Sequence, residues 1–182
     1  MKKVPIYQLK VTLKGSKPPI WRRIQVRSDI RLDKLHYILQ ITMGWLGGHL
    51  HMFEVNGIPY SEPDPEFPGD TENERKVRLD RIAGKGSVIR YEYDFGDSWV
   101  HDIKIEKVID PEPGVHYPRC IAGERACPPE DCGGIWGYEH FLEAIGNPEH
   151  EEHATMLDWI GGGFDPETFD LDGVNEDLGQ LR

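Results

Sequence analysis

Between Glu139 and Leu181 the chain has no lysine and no arginine. Cysteine is scarce too, with Cys120, Cys127 and Cys132 the only three in 182 residues. No apolar run approaches the ~18 residues of a membrane span. The opening MKKVPIYQLKV is basic but soon alternates polar and apolar residues, which is not the pattern of a secretory leader. Few cysteines without a leader predict a reducing, cytoplasmic setting rather than a disulfide framework. Several motifs are also missing. There is no G-x-S-x-G, H-E-x-x-H or G-x-G-x-x-G, and Gly161-Gly162-Gly163 lacks the Lys-Ser/Thr of a phosphate-binding loop. The stretch 165–177 misses the calcium-loop pattern, because Gly173 at the sixth loop position puts Gly179 where a glutamate is required. The sequence therefore names no reaction.

Charge is plentiful but uneven. The net charge of −11 disfavours generic binding to a phosphate backbone. Residues 1–40 hold ten Lys and Arg against Asp29 and Asp33, a balance of +8 that leaves −19 for the rest. Nucleic acid is thus disfavoured as a partner, except through the basic residues 1–40, where Arg22, Arg23 and Arg27 sit on a predicted hairpin. The remaining expectation is an unknown protein or small-molecule partner and no membrane.

The strongest local pattern is YEYDFGDSWVHDI, residues 91–103. Ile89, Tyr91, Tyr93 and Phe95 alternate with charged residues, as do Trp99, His101, Ile103 and Ile105 after the turn. Period two with aromatic and β-branched residues predicts two half-buried strands. A two-residue turn would mix their faces, so the expectation is an odd, Gly-containing loop that pairs Tyr91 with His101 and Tyr93 with Trp99. Further strands are expected at 4–14, 20–27, 49–55 and 58–60, with a short strand or lead-in at 77–79. The pattern of 20–27 places Arg22 on the same face as Ile20, Ile24 and Val26. Leu32, Leu35, Ile38 and Leu39 predict a helix at 30–44, capped by Ser28 or Asp29 and ended by Gly44, with His36 at its surface or boundary. The acidic, proline-rich 61–74 reads as a solvated loop.

Length suits a single domain, 1–182. It divides into a β-rich part (1–109), a Pro-, Gly- and Cys-rich loop (110–134) and a helical part (135–182). Trp136, His140, Phe141, Ala144 and Ile145 mark one helix of that last part; Ala154, Leu157 and Ile160 mark another, and Leu178 and Leu181 a last short one. The fold class expected is α+β: a largely antiparallel, twisted sheet of about five or six strands, packed with the 30–44 helix and a C-terminal helical cluster.

These stretches together resemble the plasmid pRiA4b ORF-3-like family over nearly the whole chain. The matching segments are YQLKVTL (7–13), PPIWRRIQV (18–26), LHYILQITMGW (35–45), HLHMFEV (49–55), YEYDFGDSWVHDI (91–103) and CPPEDCGGIWGYEHFLEAI (127–145). The resemblance implies a compact α+β domain and implies no established activity, cofactor or catalytic residue.

Two constellations are candidate ligand sites. His49 and His51 fall on one side of their strand, roughly 7 Å apart at Cα. His101, from a neighbouring strand, is the candidate third member of a three-histidine site for a transition metal, with Asp94 and Asp97 as added oxygen ligands. The alternative is that these are core-rim histidines bonded to backbone or carboxylates. A cupin arrangement is excluded, since the Gly44–His49 and His51–Glu54 spacings are too short and a helix precedes them. The second constellation is His116, Cys120, Cys127 and Cys132, a candidate Cys3His site in which zinc would staple the irregular loop; small buried cysteines are the competing reading. A reactive thiol finds no support, as nothing in the pattern lowers a thiol pKa. Trp99, Asp94, Asp97 and Arg22 are candidate lining of a binding groove.

No catalytic group is assigned, and whether the chain is an enzyme stays open. The leading functional expectation is a cytoplasmic binding or interaction module. The alternatives are a small metal-dependent enzyme using His49, His51 and His101, and a DNA-associated accessory protein of mobile elements. Zinc is the candidate cofactor.

Overall fold

The computed structural model describes residues 3–63 and 69–181. Residues 64–68 of the predicted acidic loop lie outside the described residues, as does Arg182. In chain order the strands are β1 (Ile6–Leu13), β2 (Trp21–Arg27), β3 (His51–Val55), β4 (Ile58–Ser61), β5 (Glu72–Asn73), β6 (Val88–Tyr93), β7 (Trp99–Ile109) and β8 (Arg119–Glu124). The helices are α1 (Leu32–Met43), α2 (Leu79–Ile82), α3 (Gly134–Gly146), α4 (His153–Ile160) and α5 (Leu171–Gly179).

The strands form one mixed eight-stranded sheet in the order β5-β4-β3-β6-β7-β1-β2-β8. All described pairings are antiparallel except β4 with β5. The α+β class is as expected, and the strand count exceeds the expected five or six. The two added strands are the short edges. β5 has only two residues, too few to show alternation, and β8 (RCIAGE) pairs with β2 across a register shift that breaks its alternation. β8 lies inside 110–134, which is therefore not wholly irregular. Gly123 in β8 is the local clue: a Cβ there would lie 2.5 Å from the Phe169 ring and 2.9 Å from Arg22 Cδ, so the strand must stay bare where these side chains pass. Val77 is not in a strand, and Leu79 begins the short α2.

The β6–β7 hairpin has the register predicted for it. Ile89 faces Ile103, Tyr91 faces His101 and Tyr93 faces Trp99. Its turn closes through the Ser98 amide donating to the Asp94 carbonyl at 2.6 Å, with both residues at positive φ. All six of those facing side chains are completely buried. Removing each large apolar side chain from water contributes about 1.5–3 kcal/mol, so this face is the centre of the core. Helix α1 packs over it through Leu32, Leu35, Ile38, Leu39 and Met43. The opposite face carries Lys10, Arg23, Lys104 and Glu106.

Helix α1 starts at Leu32, later than expected, without a side-chain cap. Asp29 is taken instead by Arg27, which donates two hydrogen bonds to its carboxylate. Gly44 ends the helix at φ 96°, a left-handed position that favours glycine. At the C-terminal end, α5 docks on β8 through Asn175, which accepts from the Cys120 amide and donates to its carbonyl. On α3, Tyr138, Phe141 and Ala144 are buried, whereas Trp136 and His140 are exposed. The periodicity located that helix and the burial of Phe141 and Ala144, but wrongly included Trp136 and His140 in its inward face.

Candidate functional site

Two polar residues of α1, His36 and Gln40, are one helical turn apart and both are buried against the sheet. Their partner is Tyr91 of β6. Gln40 Nε2 donates to the Tyr91 hydroxyl at 2.8 Å, and His36 Nδ1 lies 2.8 Å from the same oxygen. A hydroxyl has one proton to give. With Gln40 donating to it, Tyr91 donates to His36 Nδ1, and the imidazole proton is assigned to Nε2; among the described residues Gln40 Oε1 is left without a partner. Burial holds the His36 pKa down to about 3, with the nearby His51 ring adding to the effect.

His51, the first residue of β3, stacks on His36 with ring centroids 3.5 Å apart and an interplanar angle of 8°. Its Nε2 donates to Glu74 Oε2 at 2.9 Å. Glu74 is 2% exposed, and a carboxylate so enclosed needs such a donor. Glu74 sits on a single 3₁₀ turn, Glu74–Lys76, between β5 and α2. Four elements thus assemble one chain of polar contacts: Glu74, His51, His36, Tyr91 and Gln40.

Glu74, His51 and His36 of this chain form the floor of a cleft of about 460 Å³, whose lining also includes His49 and Met52; Tyr91 and Gln40 lie behind it. The rim carries Tyr37, Leu50 and Phe95, which are 52%, 71% and 51% exposed although apolar. Lys34, Arg75, Asp33 and Glu62 stand around them, so the rim presents both signs of charge.

His49 and His51 are therefore both at the cleft, but His101 is not. Directly opposite Tyr91 in the register, it is completely buried between the Tyr91 and Trp45 rings. Among the described residues it has no hydrogen-bond partner at either nitrogen, and burial pushes its pKa down to about 4. The third histidine at the cleft is His36, expected at the helix surface or boundary and found buried. The signal that could have found it was present: His36 and Gln40 repeat at helical spacing beside the Leu32, Leu35 and Leu39 stripe. His49 lies instead between two carboxylates, with Nδ1 3.6 Å from Asp94 and Nε2 3.4 Å from Asp131.

The groove expected from Trp99, Asp94, Asp97 and Arg22 does not assemble. Trp99 is wholly inside the core. Arg22 is 2% exposed and spends its guanidinium on carbonyls: Nε donates to Thr42 at the end of α1, and Nη1 to Trp21 and Glu124. The negative end of the α1 dipole and the Phe169 ring, 4.0 Å away, take the place of a carboxylate. Asp97 accepts from the Gly133 amide and ties the hairpin tip to the start of α3.

The second constellation is dispersed as well. His116 lines a separate hollow beside Pro113 and Tyr117. Cys120 is buried in β8 against the Arg23 and Ala122 carbonyls. Burial raises all three thiol pKa values, Cys132 to about 12, so the free thiols stay protonated at neutral pH. Among the described residues neither predicted constellation brings three ligand atoms within 4.8 Å of one another.

An α+β domain built on a mixed sheet, with a histidine-floored cleft under its first helix, is the class these features define. The chain belongs to the family described as plasmid pRiA4b ORF-3-like protein, whose model matches residues 5–173. It is 38% identical over 179 residues to the uncharacterized protein y4hQ of Sinorhizobium fredii (strain NBRC 101917 / NGR234), an alignment covering 97% of this chain and 89% of that one. It is also similar to the crystal structure of a protein of unknown function, MM3350 from Methanosarcina mazei Go1, with a TM-score of 0.87 and 38% identity over 97% of this chain and 99% of the other. Among the described residues no helix is long and apolar enough to cross a membrane.

Proposed function

We propose that the chain is a cytoplasmic binding module and that the cleft under α1 takes a small, partly apolar molecule with a hydrogen-bonding edge. One observation carries this reading. A buried Glu74–His51 pair, with His36 stacked on it, faces a 460 Å³ cleft whose rim keeps three large apolar side chains in water. Ligand sites are typically of this size, largely apolar, with a few placed polar groups. The mixed charges of the rim favour a ligand of low net charge.

The arginines of the basic front are engaged, which weighs against the nucleic-acid alternative. Arg22 is buried, Arg23 is held by Glu106, Arg27 by Asp29 and Arg31 by Asp33. A phosphate backbone would have to displace those carboxylates. The cytoplasmic setting is supported by three unpaired cysteines held as thiols.

The test is amide-resolved NMR with a library of small metabolites sorted by chemical class. A true ligand shifts the amides of His36, Gly47, His51, Met52 and Glu74 together and saturably. A library that perturbs only other surfaces would remove the reading.

A further inference from the structure

Three of the eight histidines, His140, His150 and His153, fall within fourteen residues of the acidic C-terminal part. His153 has a structural task, with Nδ1 bonding the Ala144 carbonyl at 2.8 Å and so joining the start of α4 to α3. The other two engage Glu152 and each other. His140 projects from α3 and is exposed; its Nε2 lies 2.5 Å from Glu152 Oε2, on the residue that precedes α4. His150, from the intervening turn, brings its ring centroid within 5.4 Å of His140, and its Nδ1 accepts from the Glu152 amide at 3.1 Å. One ligand atom from each of His140, His150 and Glu152 lies within 4.8 Å of the others.

We propose that His140, His150 and Glu152 form a divalent transition-metal site, best suited to zinc, that clasps α3 to α4. Two imidazoles and one carboxylate are a zinc ligand set of the kind that leaves a fourth position for water or a ligand. At Zn–N and Zn–O distances of about 2.0–2.2 Å, tetrahedral donors stand ~3.3 Å apart. Side-chain rotation of these at least partly exposed residues would open the 2.5 Å His140–Glu152 contact and bring His150 in. Ligation through His150 Nδ1 gives up one N–H···N bond, and the freed Glu152 amide is near enough to solvent to take water.

Electrostatics favours a cation here over any protein partner for Glu152. Residues 139–181 contain twelve Asp and Glu and no Lys or Arg, so no ammonium or guanidinium from that stretch competes for the carboxylate. The fourth position also has a neighbour. His140 lines an adjoining hollow of about 270 Å³ between α3 and α4, with Phe141, Met156 and Trp159. A metal at His140 would put an open coordination position beside an apolar wall.

The other three-residue group, His49 with Asp94 and Asp131, is the weaker candidate. It offers one imidazole where the first offers two, its nearest carboxylate contacts fall on opposite nitrogens of that ring at 3.6 and 3.4 Å, and its Asp131 side chain is 73% exposed.

The experiment uses the full chain, stripped with chelator, then titrated with zinc by calorimetry and with cobalt(II) by visible absorption. The proposal expects one equivalent of zinc and the d–d bands of a four-coordinate N/O site. It expects His140→Ala and Glu152→Gln each to weaken zinc by tenfold or more, and His49→Ala to leave it unchanged. Circular dichroism checks that each variant folds; all three side chains are at least partly exposed, and His150→Ala stands in should one fail. Absence of a bound equivalent overturns the proposal, as does zinc retained in His140→Ala or lost in His49→Ala. A thiolate-to-cobalt charge-transfer band would move the metal to the cysteines and overturn it equally.

Discussion

The hydroxyl of Tyr91 lies 2.8 Å from His36 Nδ1, and this contact fastens the first helix to the middle of the sheet. Tyr91 is completely buried, and its own pKa is driven well up by burial. Tyr91→Phe would leave both His36 Nδ1 and Gln40 Nε2 without a partner. Leaving buried polar groups unpaired costs about 1–3 kcal/mol each, so the variant should be at least ~2 kcal/mol less stable by urea unfolding. Tyr93→Phe is the comparison: its hydroxyl donates to Glu130, a partly buried contact that water can replace, and the loss should be smaller.

Acid should destabilise the fold before the carboxylates are reached. His36 and His101 have folded pKa values of about 3 and about 4, below the ordinary 6.5, because burial penalises the charged ring. The unfolded chain therefore binds more protons than the folded one between those values and 6.5. Stability falls as pH drops from 6.5 towards 4 and levels off for His101 below that. His101→Phe removes one of the two titrations and two unpaired ring nitrogens. The expected outcome is a flatter stability profile from pH 6.5 to 4 and no loss of stability at pH 7.

Glu106 behaves oppositely in sign to a buried neutral group. The Arg23 guanidinium, at 2.7 and 3.1 Å, holds its carboxyl down to about 2, with Gln8 also donating to it. Its stabilisation is present above pH 4.5 and is lost as pH falls through about 2. Glu106→Gln should cost about 1 kcal/mol at pH 7 and clearly less at pH 2, where the carboxyl is about half protonated, measured by denaturant unfolding at both values.

Arg22→Lys is expected to be more disruptive than its chemistry suggests. Arg22 reaches three carbonyls on three segments through a planar fork, and an ammonium cannot cover all three. The resulting unpaired carbonyls and a buried charge place the loss at about 2–4 kcal/mol. Arg22→Met, which buries no charge, should recover part of it. Equal losses for the two variants would show that charge burial is not the issue.

Much of the sheet was legible because its signals are local. Alternation in 89–105 and the need to keep faces apart set the hairpin register down to the Tyr91–His101 pair. The family resemblance was legible because six motifs occur in order. The site was less so. His49 and His51 could be placed at a cleft from their spacing, but the partner that matters comes from α1. A helix histidine beside an apolar stripe looks like a boundary residue until the tyrosine opposite it is known. Glu74 was hidden for a similar reason: one turn of 3₁₀ helix within an acidic stretch shows no periodicity, and only the fold turns that carboxylate inward. Arg22 was correctly placed on the inner face by the strand pattern, but two of its three carbonyl partners lie 20 and 102 residues away and left no trace in its neighbourhood.

The cleft over His36, His51 and Glu74 is proposed to hold a small molecule. The most direct measurement is equilibrium dialysis of the full chain against a metabolite extract, with mass spectrometry of what it retains. His51→Gln, which keeps a donor for Glu74 but removes the stacked ring, and His116→Ala, remote from the cleft, serve as the variants. The account predicts one compound class enriched at least tenfold by the wild type and by His116→Ala and released by His51→Gln. An identical retained profile in all three proteins would contradict it.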